Sequence, residues 1–560
     1  MDADLRQVQK LIDERFEGIV LESAVQGWVY LEEYRRGLAA YQAIKKPTPQ
    51  DDRWAGVCHS MLHQRMEAEG LLARAVARGD EGARIELARV LGFMDRSEKA
   101  AAELAKVDPA KLNPPDRVLL LRAQSYQQEF SGYFQQAVEL AEEGWRLVQG
   151  LPEYPVLAPW LLIRLGLLYG QIGRAQRALW CFDQALEIIP NAPSSLVLAK
   201  AGGLIMLGRY TQAIQELAAL QADYSTGVRG LYLGVKADIA WAMGDTQGAA
   251  AHYLEAIPLL VEVDSQGELG CRLNLAALYG GQGVYPTALE HLARARLLVN
   301  YRRDRLDYRF REVLLDYWRG VLPATDAQQA LSPLAEEYGA MGLLQEQGQA
   351  QLHLTEIYRA AGDGRYLDEL DKVQAICAAV QNQAFLAREW VLLPQLREAV
   401  RISHPKLVGS APKVLEVYSL GDERIMLAGQ TVNIRLRRAV EILAYFLEYR
   451  EVGLKKLMAD IFPDDRPKSA RLYFHQFRNE LLERLPGLTI DFNAETRTYR
   501  LISDYDILWD VAELRAGRKM GDLGIFLPGS GSEWAYLLNE ALEPLRDAAA
   551  EPVDVKRTRH

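Results

Sequence analysis

WLLIRLGLLYGQIGRAQRALWCFDQALEIIP, residues 160–190, holds two helical periods on either side of a glycine. Small residues at Gly166 and Ala178 let two helices approach each other closely, and Gly173 permits a tight turn between them. Pro190 ends the second helix. The residues that carry this pattern are Leu162, Leu165, Gly166, Tyr169, Gly173, Ala178, Phe182, Ala185 and Pro190. The stretch therefore predicts a pair of packed helices with aromatic rings filling the space around the small residues.

The same pattern recurs along the chain. The glycines at the predicted turns, Gly173, Gly208, Gly244 and Gly283, follow one another at intervals of 35, 36 and 39 residues. A degenerate unit at Asp304–Leu343 continues the series. Further matching positions are Leu87, Ala88, Ala100, Leu104, Ala123, Tyr126, Ala137, Ala213, Leu217, Ala249, Tyr253, Ala256, Leu275, Ala276, Tyr279, Ala288, Leu292, Ala295, Tyr358 and Gly362. Self-similarity at this period predicts stacked helix pairs.

This pattern resembles the tetratricopeptide (TPR) repeat. The resemblance covers residues 81–402, and we interpret residues 1–80, which are helical in pattern but match the repeat poorly, as an atypical helical cap. TPR arrays stack helix pairs into a solenoid with a concave groove. The resemblance implies that a protein or peptide binds in the TPR groove, or that the groove holds the chain's own domains.

The period of the sequence changes after residues 403–413, a short linker of turn-forming residues. Short alternating segments then predict a small antiparallel sheet, and they are followed by three helices and a hairpin. The predicted strands of the sheet are Val414–Tyr418, Arg424–Leu427 and Thr431–Ile434. The predicted helices are Arg437–Tyr449, Leu454–Phe462 and Lys468–Leu485, and the hairpin strands are Leu488–Phe492 and Arg497–Leu501.

This order of elements, over residues 414–514, resembles the winged-helix DNA-binding domain of OmpR-type response regulators and of SARP-type transcription activators. The motifs that match are LEVYSLG (415–421), GQTVNIRLRRAVEILAYFL (429–447), LMADIFPDD (457–465), SARLYFHQFRNELLERL (469–485) and YRLISDYDILWDVAEL (499–514). Residues 515–560, with GDLGIFLPGSGSEWAYLLNEAL (521–542), are similar to the start of the helical activation domain that follows the winged helix in SARP-type activators. We expect a disordered tail after it. In that family the winged helix usually comes first, whereas here the array precedes it.

The predicted third helix has two contrasting faces. One stripe is apolar and comprises Ala470, Phe474, Phe477, Leu481 and Leu485. The other presents Lys468, Arg471, His475 and Arg478, with Gln476 and Asn479 at its margins. Arginine pairs with guanine edges, glutamine or asparagine pairs with adenine, and positive charge displaces counterions from phosphate. These six residues are therefore candidates for DNA contact, and the alternative is an ordinary solvated helix face.

Further basic and polar positions complete the candidate DNA-binding set. Thr496 and Arg497 lie at the predicted hairpin tip, within reach of the minor groove or its phosphates, and Arg500 follows on the same hairpin. Lys455 and Lys456 begin the second helix, where cations oppose the helix dipole, which hints at a phosphate contact. The cluster before the first helix is Arg435, Arg437 and Arg438. The alternative for each position is an ordinary surface charge.

The loop 463–467 carries Asp464 and Asp465 immediately before the third helix. One interpretation is helix capping. The other follows from the resemblance to response-regulator effector domains, which implies a loop that contacts RNA polymerase.

Composition excludes several function classes. The 560 residues carry a net charge of −10, so any DNA contact must be a local patch on an acidic body. The sequence has neither a signal-peptide pattern nor an apolar run of 18 residues, which favours a cytoplasmic chain with no membrane contact. Nucleotide-binding and hydrolase motifs are missing, so we expect no enzyme activity and no cofactor. The cysteines are far apart and predict buried apolar side chains: Cys58, Cys181, Cys271 and Cys377.

We therefore expect a mainly α chain, in which a TPR-like α-solenoid is followed by an α+β winged helix and a short C-terminal helical segment. The expected function is a sequence-specific transcription regulator that binds double-stranded DNA and whose TPR array senses a protein, peptide or oligomeric signal. A homodimer or tandem sites would raise a modest single-site affinity. The alternative is a TPR scaffold or adaptor in which the winged helix is a protein-contact module. Such a scaffold would expose an apolar patch on the third helix, for which Leu482 and Tyr473 are the candidates.

Overall fold

The computed structural model divides into two compact units. The first unit comprises Met1–Leu207 and Tyr224–Val408, and the second comprises Gly208–Asp223 and Gly409–His560. The residues that the structure describes are 3–16, 18–62, 64–94, 96–189, 193–218, 220, 226–261, 263–401, 403–405, 407–408, 413–449, 451–463, 465–493, 497–503, 505–516, 520–521 and 523–550. The predicted fold class is confirmed, because the chain is mainly α, with a long helical array before a mixed α/β region that contains small sheets.

The first unit is built of helices that pack against their neighbours along the chain. They are α1 (Ala3–Arg15), α2 (Ala24–Tyr30), α3 (Tyr34–Ala43), α4 (Pro49–Met61), α5 (Arg65–Ala77), α6 (Glu81–Phe93), α7 (Ser97–Leu104), α8 (Pro114–Phe130), α9 (Phe134–Val148), α10 (Tyr154–Gln171), α11 (Ala175–Ile188) and α12 (Ser194–Met206). Helix α13 (Tyr210–Ala218) belongs to the second unit. The first unit continues with α14 (Thr226–Ala242), α15 (Thr246–Leu260), α16 (Ser265–Gly281), α17 (Tyr285–Arg296), α18 (Arg302–Trp318), α19 (Ala324–Ala340), α20 (Leu344–Ala360), α21 (Tyr366–Ala379), α22 (Ala387–Leu392) and α23 (Pro394–Val400). Single 3-10 turns lie at Pro109–Lys111 and Ala384–Leu386.

The pair α10 and α11 packs as the sequence predicts. A β-carbon added to Gly166 would lie 2.3 Å from a ring carbon of Phe182, so only glycine allows this approach of the two helices. Ala178 of α11 is fully buried. Gly173 has a φ of +78° between the helices, a conformation that favours glycine. Pro190 lies outside the described residues.

Other sequence expectations for the array have definite outcomes. The degenerate unit at Asp304–Leu343 contains the helix pair α18 and α19. All four cysteines are free and buried, which confirms the interpretation of them as small apolar side chains. Among the described residues, no helix has both the length and the apolar character needed to cross a bilayer.

A buried ionic cluster joins three helices of the first unit. Glu389 of α22 is fully buried and accepts hydrogen bonds from Arg311 of α18, at 3.1 and 3.4 Å. His353 of α20 lies with its Nε2 2.7 Å from the same carboxylate. A charged side chain is retained in the interior only when such partners compensate for its lost hydration.

The second unit contains two small sheets around a shared apolar core. The strands are β1 (Val414–Tyr418), β2 (Arg424–Leu427), β3 (Gln430–Thr431), β4 (Glu451–Gly453), β5 (Leu488–Asn493), β6 (Thr498–Ser503) and β7 (Asp506–Trp509). The helices besides α13 are α24 (Ala439–Tyr449), α25 (Leu454–Ile461), α26 (Pro467–Arg484), α27 (Asp510–Arg515) and α28 (Glu533–Ala550). The first sheet has the order β3-β2-β1-β7, in which β1 and β7 are parallel, and the second has the order β4-β6-β5 and is antiparallel.

Most predicted elements of this unit lie within two residues of the observed ones, with informative exceptions. The third strand, expected at Thr431–Ile434, is only the two-residue β3. Strands β4 and β7 are additional to the predicted set. Helix α28 buries Trp534 and Leu542 in the same core as α24, so this part of residues 515–560 packs onto the α/β unit itself. Residues 551–560, at the end of the segment for which a disordered tail is expected, lie outside the described residues.

Helix α13 lies against the last strand of the first sheet. The Asp506 carboxylate of β7 accepts hydrogen bonds from the backbone N–H groups of Thr211 and Gln212, at 2.8 and 3.2 Å. The Arg209 guanidinium donates to the carbonyl oxygen of Ser503. Asp506 therefore satisfies first-turn N–H groups that a helix cannot pair internally.

Candidate nucleic-acid interface

Helix α26 is held in place by one apolar stripe. Pro467 occupies the first turn, where a missing N–H costs nothing. Phe474 and Phe477 are fully buried, together with Ala470 and Leu481 on the same stripe. The Phe474 ring stacks on Phe446 of α24 at a centroid distance of 6.2 Å. These contacts fix which face of the helix points away from the core.

The hairpin of β5 and β6 is fastened to the same helix. Tyr499 of β6 meets the Phe474 ring edge to face at 5.1 Å. The Nε of Arg478 donates to the carbonyl oxygen of Ile490 at 2.7 Å, and its guanidinium lies 5.1 Å from the Tyr499 ring centroid. Arg478, which the sequence places among the DNA-contacting candidates, is half-buried here and positions the hairpin relative to α26.

The face of α26 opposite the core presents polar side chains. Each residue turns an α-helix by 100°, so side chains three or four residues apart point to the same side. The side opposite Phe474 is therefore formed by a series of residues at that spacing. Lys468, His475, Gln476 and Asn479 are exposed on this side, as the sequence predicts. Arg471 is also exposed, but it lies on the flank of the helix that carries Arg478.

An apolar residue in the middle of this outer face was missed by the sequence analysis. Leu472 is 60% exposed, and it lies about 160° around the helix from Phe474. The signal was present in the sequence, since the same helical rotation that buries Phe474 turns Leu472 outward. Leu482 is 50% exposed as the scaffold alternative expects, whereas Tyr473 is half-buried with its hydroxyl accepting from the Arg438 N–H at 2.9 Å.

The start of α26 differs from the capping interpretation. Its N-cap residue is Arg466, and among the described residues no side chain caps this end. Asp465 instead accepts from Arg438 at 3.1 Å. The capping interpretation is therefore wrong for Asp465, because a guanidinium competes for its carboxylate. Asp464 lies outside the described residues.

The arginines before α24 have unequal surroundings. Arg438 is committed to the fold, because it also donates to the carbonyl oxygen of Ile461 at 2.9 Å and lies over the Phe462 ring. Arg437 is exposed. The N–H of Arg435 donates to the Glu480 carboxylate of α26 at 2.6 Å. Only the backbone of Arg435 takes part in that bond, so the exposed side chains of both Arg435 and Arg437 are placed to meet an external anion.

The two lysines of α25 also differ. Both Lys455 and Lys456 are exposed in the first turn, as the sequence predicts. The Lys456 ammonium lies 4.3 Å from the centre of the Tyr449 ring, an attractive cation–π arrangement. Lys455 is therefore the better placed of the two for a phosphate.

At the hairpin tip, Arg497 is exposed and has a φ of +57°. Arg500 is exposed further along β6. Thr496, the other candidate at the tip, lies outside the described residues.

The charge of the region is local rather than general. Residues 413–514 carry 15 lysines and arginines against 17 aspartates and glutamates. Glu483 is exposed on the outer face of α26 near its C-terminal end. This carboxylate would repel phosphate, so the C-terminal end of the outer face suits nucleic acid less well than the part between Lys468 and Asn479.

Comparison with known proteins gives fold similarity only. No protein-family model matches the chain, and no curated protein matches it. The chain is similar to the solved structure of a Rap protein complexed with competence and sporulation factor, with 13% identity and a TM-score of 0.49 over 63% of this chain and 98% of that chain. It is also similar to NprR in complex with its cognate peptide NprX (14% identity, TM-score 0.43, 63% of this chain and 99% of that chain). A further match is the apo form of the quorum sensor NprR from B. thuringiensis, with 14% identity and a TM-score of 0.40 over 63% of this chain and 98% of that chain.

Proposed function

We propose that this chain is a sequence-specific DNA-binding transcription regulator. In this proposal the second unit is a winged-helix domain, α26 enters the major groove and the β5–β6 hairpin reaches the flanking backbone or minor groove. The TPR-like array receives a protein, peptide or oligomeric signal and changes either dimerisation or the exposure of α26.

The observation that carries the proposal is that α26 has one buried apolar stripe and one exposed polar face. Its inner stripe, with Phe474 and Phe477, is buried in the core, while its outer face exposes long side chains that can donate hydrogen bonds. A helix that reads DNA needs donors at successive turns on one face, because base edges follow one another along the groove. Gln476 and Asn479 meet that need on consecutive turns, and Lys468 adds a donor two turns earlier.

A phosphate-binding rim accompanies the helix. Three exposed cations lie at separate places in the same unit: Arg437 before α24, Lys455 in the first turn of α25 and Arg497 before β6. Contacts to phosphate fix the orientation of a protein on the duplex, whereas base contacts supply specificity. This rim would supply the first kind of contact and α26 the second.

The scaffold function is the second candidate, and the exposed Leu472 and Leu482 favour it. Exposed leucines on one helix suit a protein-contact surface. On this helix, however, they are separated by ten residues, about 15 Å along the axis, and polar side chains surround Leu472. DNA binding therefore remains the function that the surface supports better.

The deciding experiment selects duplexes from a random pool with the full-length chain and then measures binding of the selected duplex over a salt series. The test variant is Lys468→Ala/Arg471→Ala, which spares Arg478 and so leaves the hairpin attachment intact. The control variant is Lys45→Ala/Lys46→Ala, which removes two exposed lysines from the first unit and changes the net charge equally.

We expect the wild type and the control to bind the selected duplex alike. The test variant should bind at least tenfold more weakly. Its slope of log K against log salt should be shallower by about 1 to 2, because it neutralises fewer phosphates and so releases fewer counterions. Enrichment of no sequence, or equal weakening of binding in the test and control variants, would refute the proposal and favour the scaffold.

A further inference from the structure

Leu472 is unusual because of the polar side chains that surround it, and not because it is exposed. Single exposed leucines are common on protein surfaces. Leu472, however, is the side chain most nearly opposite the core on α26, and it stands among exposed Lys468, His475, Gln476 and Asn479. These four lie at i−4, i+3, i+4 and i+7 from it, which makes all of them neighbours on one helix face.

The face therefore presents one branched apolar side chain inside a ring of hydrogen-bond donors and acceptors. A protein-docking patch would need several contiguous apolar residues, because stable interfaces bury hundreds of Å² on each side. The other exposed leucine of α26, Leu482, lies nearly three turns from Leu472 along the helix axis and is rotated about 80° from it, so the two do not form a contiguous patch. One isolated methyl-bearing side chain calls for an equally small apolar target.

The major groove of DNA offers such a target. Its floor is lined with hydrogen-bonding groups, and the apolar group that a standard base pair displays there is the C5-methyl of thymine. Resting on the proposed DNA-binding function, we infer that Leu472 contacts a thymine methyl group in the bound site. The neighbouring Gln476 and Asn479 then pair with base edges on either side of it.

This assignment gives the bound DNA a chemical requirement. At least one base pair beneath α26 is T·A, and its methyl group, rather than its hydrogen-bonding groups, is what Leu472 recognises. Deoxyuridine is the matched probe, since it lacks only that methyl and keeps the base pairing and groove acceptor of thymine.

The experiment uses the full-length chain and the duplex selected from the random pool. Each thymine is replaced in turn by deoxyuridine, and affinity is measured for the wild type, Leu472→Ala and Leu482→Ala. For the wild type, we expect one or two positions at which uridine weakens binding about fourfold, the effect of losing one buried methyl. At those positions Leu472→Ala should bind thymine and uridine equally, whereas Leu482→Ala should keep the fourfold ratio.

The outcomes separate this inference from the function on which it rests. Selective binding by the wild type with no thymine-to-uridine effect at any position would overturn the Leu472 assignment and leave DNA binding intact. A fourfold ratio that persists in Leu472→Ala would also overturn it. Failure to select any sequence would remove the proposed function and the inference together. Because Leu472 is exposed, its alanine variant should melt at the wild-type temperature. If it does not, the test is the affinity of the wild type for the thymine and deoxyuridine duplexes.

Discussion

Among single residues, Glu389 shows most directly how the array retains charge in its interior. Burial acts to raise the pKa of this carboxyl, but Arg311 and His353 more than offset it and hold the pKa well below its usual range. Since Arg311 is itself buried, the two groups depend on each other. Removing one leaves the other charged and without compensation.

We expect Glu389→Gln to lower the free energy of unfolding by about 3 kcal/mol at neutral pH, because it leaves the Arg311 charge buried. Glu389 has a lowered pKa in the folded chain, so its contribution is complete above the ordinary glutamate pKa of about 4.3 and is lost as the pH falls below that value. The difference in the free energy of unfolding between wild type and variant should therefore decrease by roughly 0.5 kcal/mol as the pH is lowered from about 6 to about 4. Urea unfolding at the two pH values measures it.

Glu398→Gln is the matched control. Glu398 pairs with Arg401 at 3.4 Å, but its side chain is 74% exposed. Surface pairs contribute little, so this change should alter stability by less than about 0.5 kcal/mol. Equal effects of the two substitutions would show that burial of the Glu389 cluster does not govern its contribution.

At the scale of helices, the close approach within a pair depends on particular glycines. Gly166→Ala should destabilise the chain by about 1 to 3 kcal/mol, because the added carbon overlaps the Phe182 ring on the facing helix. Gly202 of α12 has no atom within 4 Å of an added β-carbon, and Gly202→Ala should raise stability by up to about 1 kcal/mol through helix propensity. Thermal melts of both variants test the contrast, and a shift of the same sign in both would contradict it.

The elements that the sequence predicts well are those long enough to show a period. Helix α26 shows four buried positions at helical spacing, and its start is marked by Pro467. Strand β4 has only three residues, too few to show a period, and the four residues of β7 do not alternate, since Asp506, Ile507 and Trp509 are all buried. Their places come from pairing with β6 and β1, which are distant in the chain.

In the candidate site, too, local features follow from the sequence, whereas contacts with distant elements do not. Helical rotation alone predicts that Lys468 and Gln476 face solvent. It does not predict that Arg478 turns to the carbonyl of Ile490, because that contact depends on where β5 lies. Asp465 was misassigned for a related reason, since its partner Arg438 precedes it by 27 residues.

At the scale of the whole molecule, chain order and structural units do not coincide. Residues 208–223 fall inside the predicted array yet belong with the C-terminal unit. Burial raises the pKa of Asp506, and the N–H donors of Thr211 and Gln212 act against that rise. A fragment that begins at residue 409 thus lacks a helix that its own last sheet strand contacts.

We expect residues 409–560 to be more stable when residues 208–218 are joined to them through a long glycine-serine linker. The gain should be about 1 to 2 kcal/mol, the contribution of a helix cap and its associated contacts. Asp506→Ala should abolish this gain, whereas Asp547→Ala, at an exposed position on α28, should leave it unchanged. Urea unfolding of the linked and unlinked fragments provides the measurement, and equal midpoints would contradict the assignment of α13 to this unit.

The pairing of α13 with β7 also has a consequence during synthesis. Asp506 is made 295 residues after Thr211, the helix residue whose amide it accepts. At about 5 to 20 residues per second, a ribosome takes about 15 to 60 s to cover that distance. For most of this interval α13 lies outside the exit tunnel without its acceptor, and the helices from α14 to α26 emerge before that acceptor does. The contact between α13 and β7 therefore forms only after Tyr224–Val408 of the first unit has been synthesised.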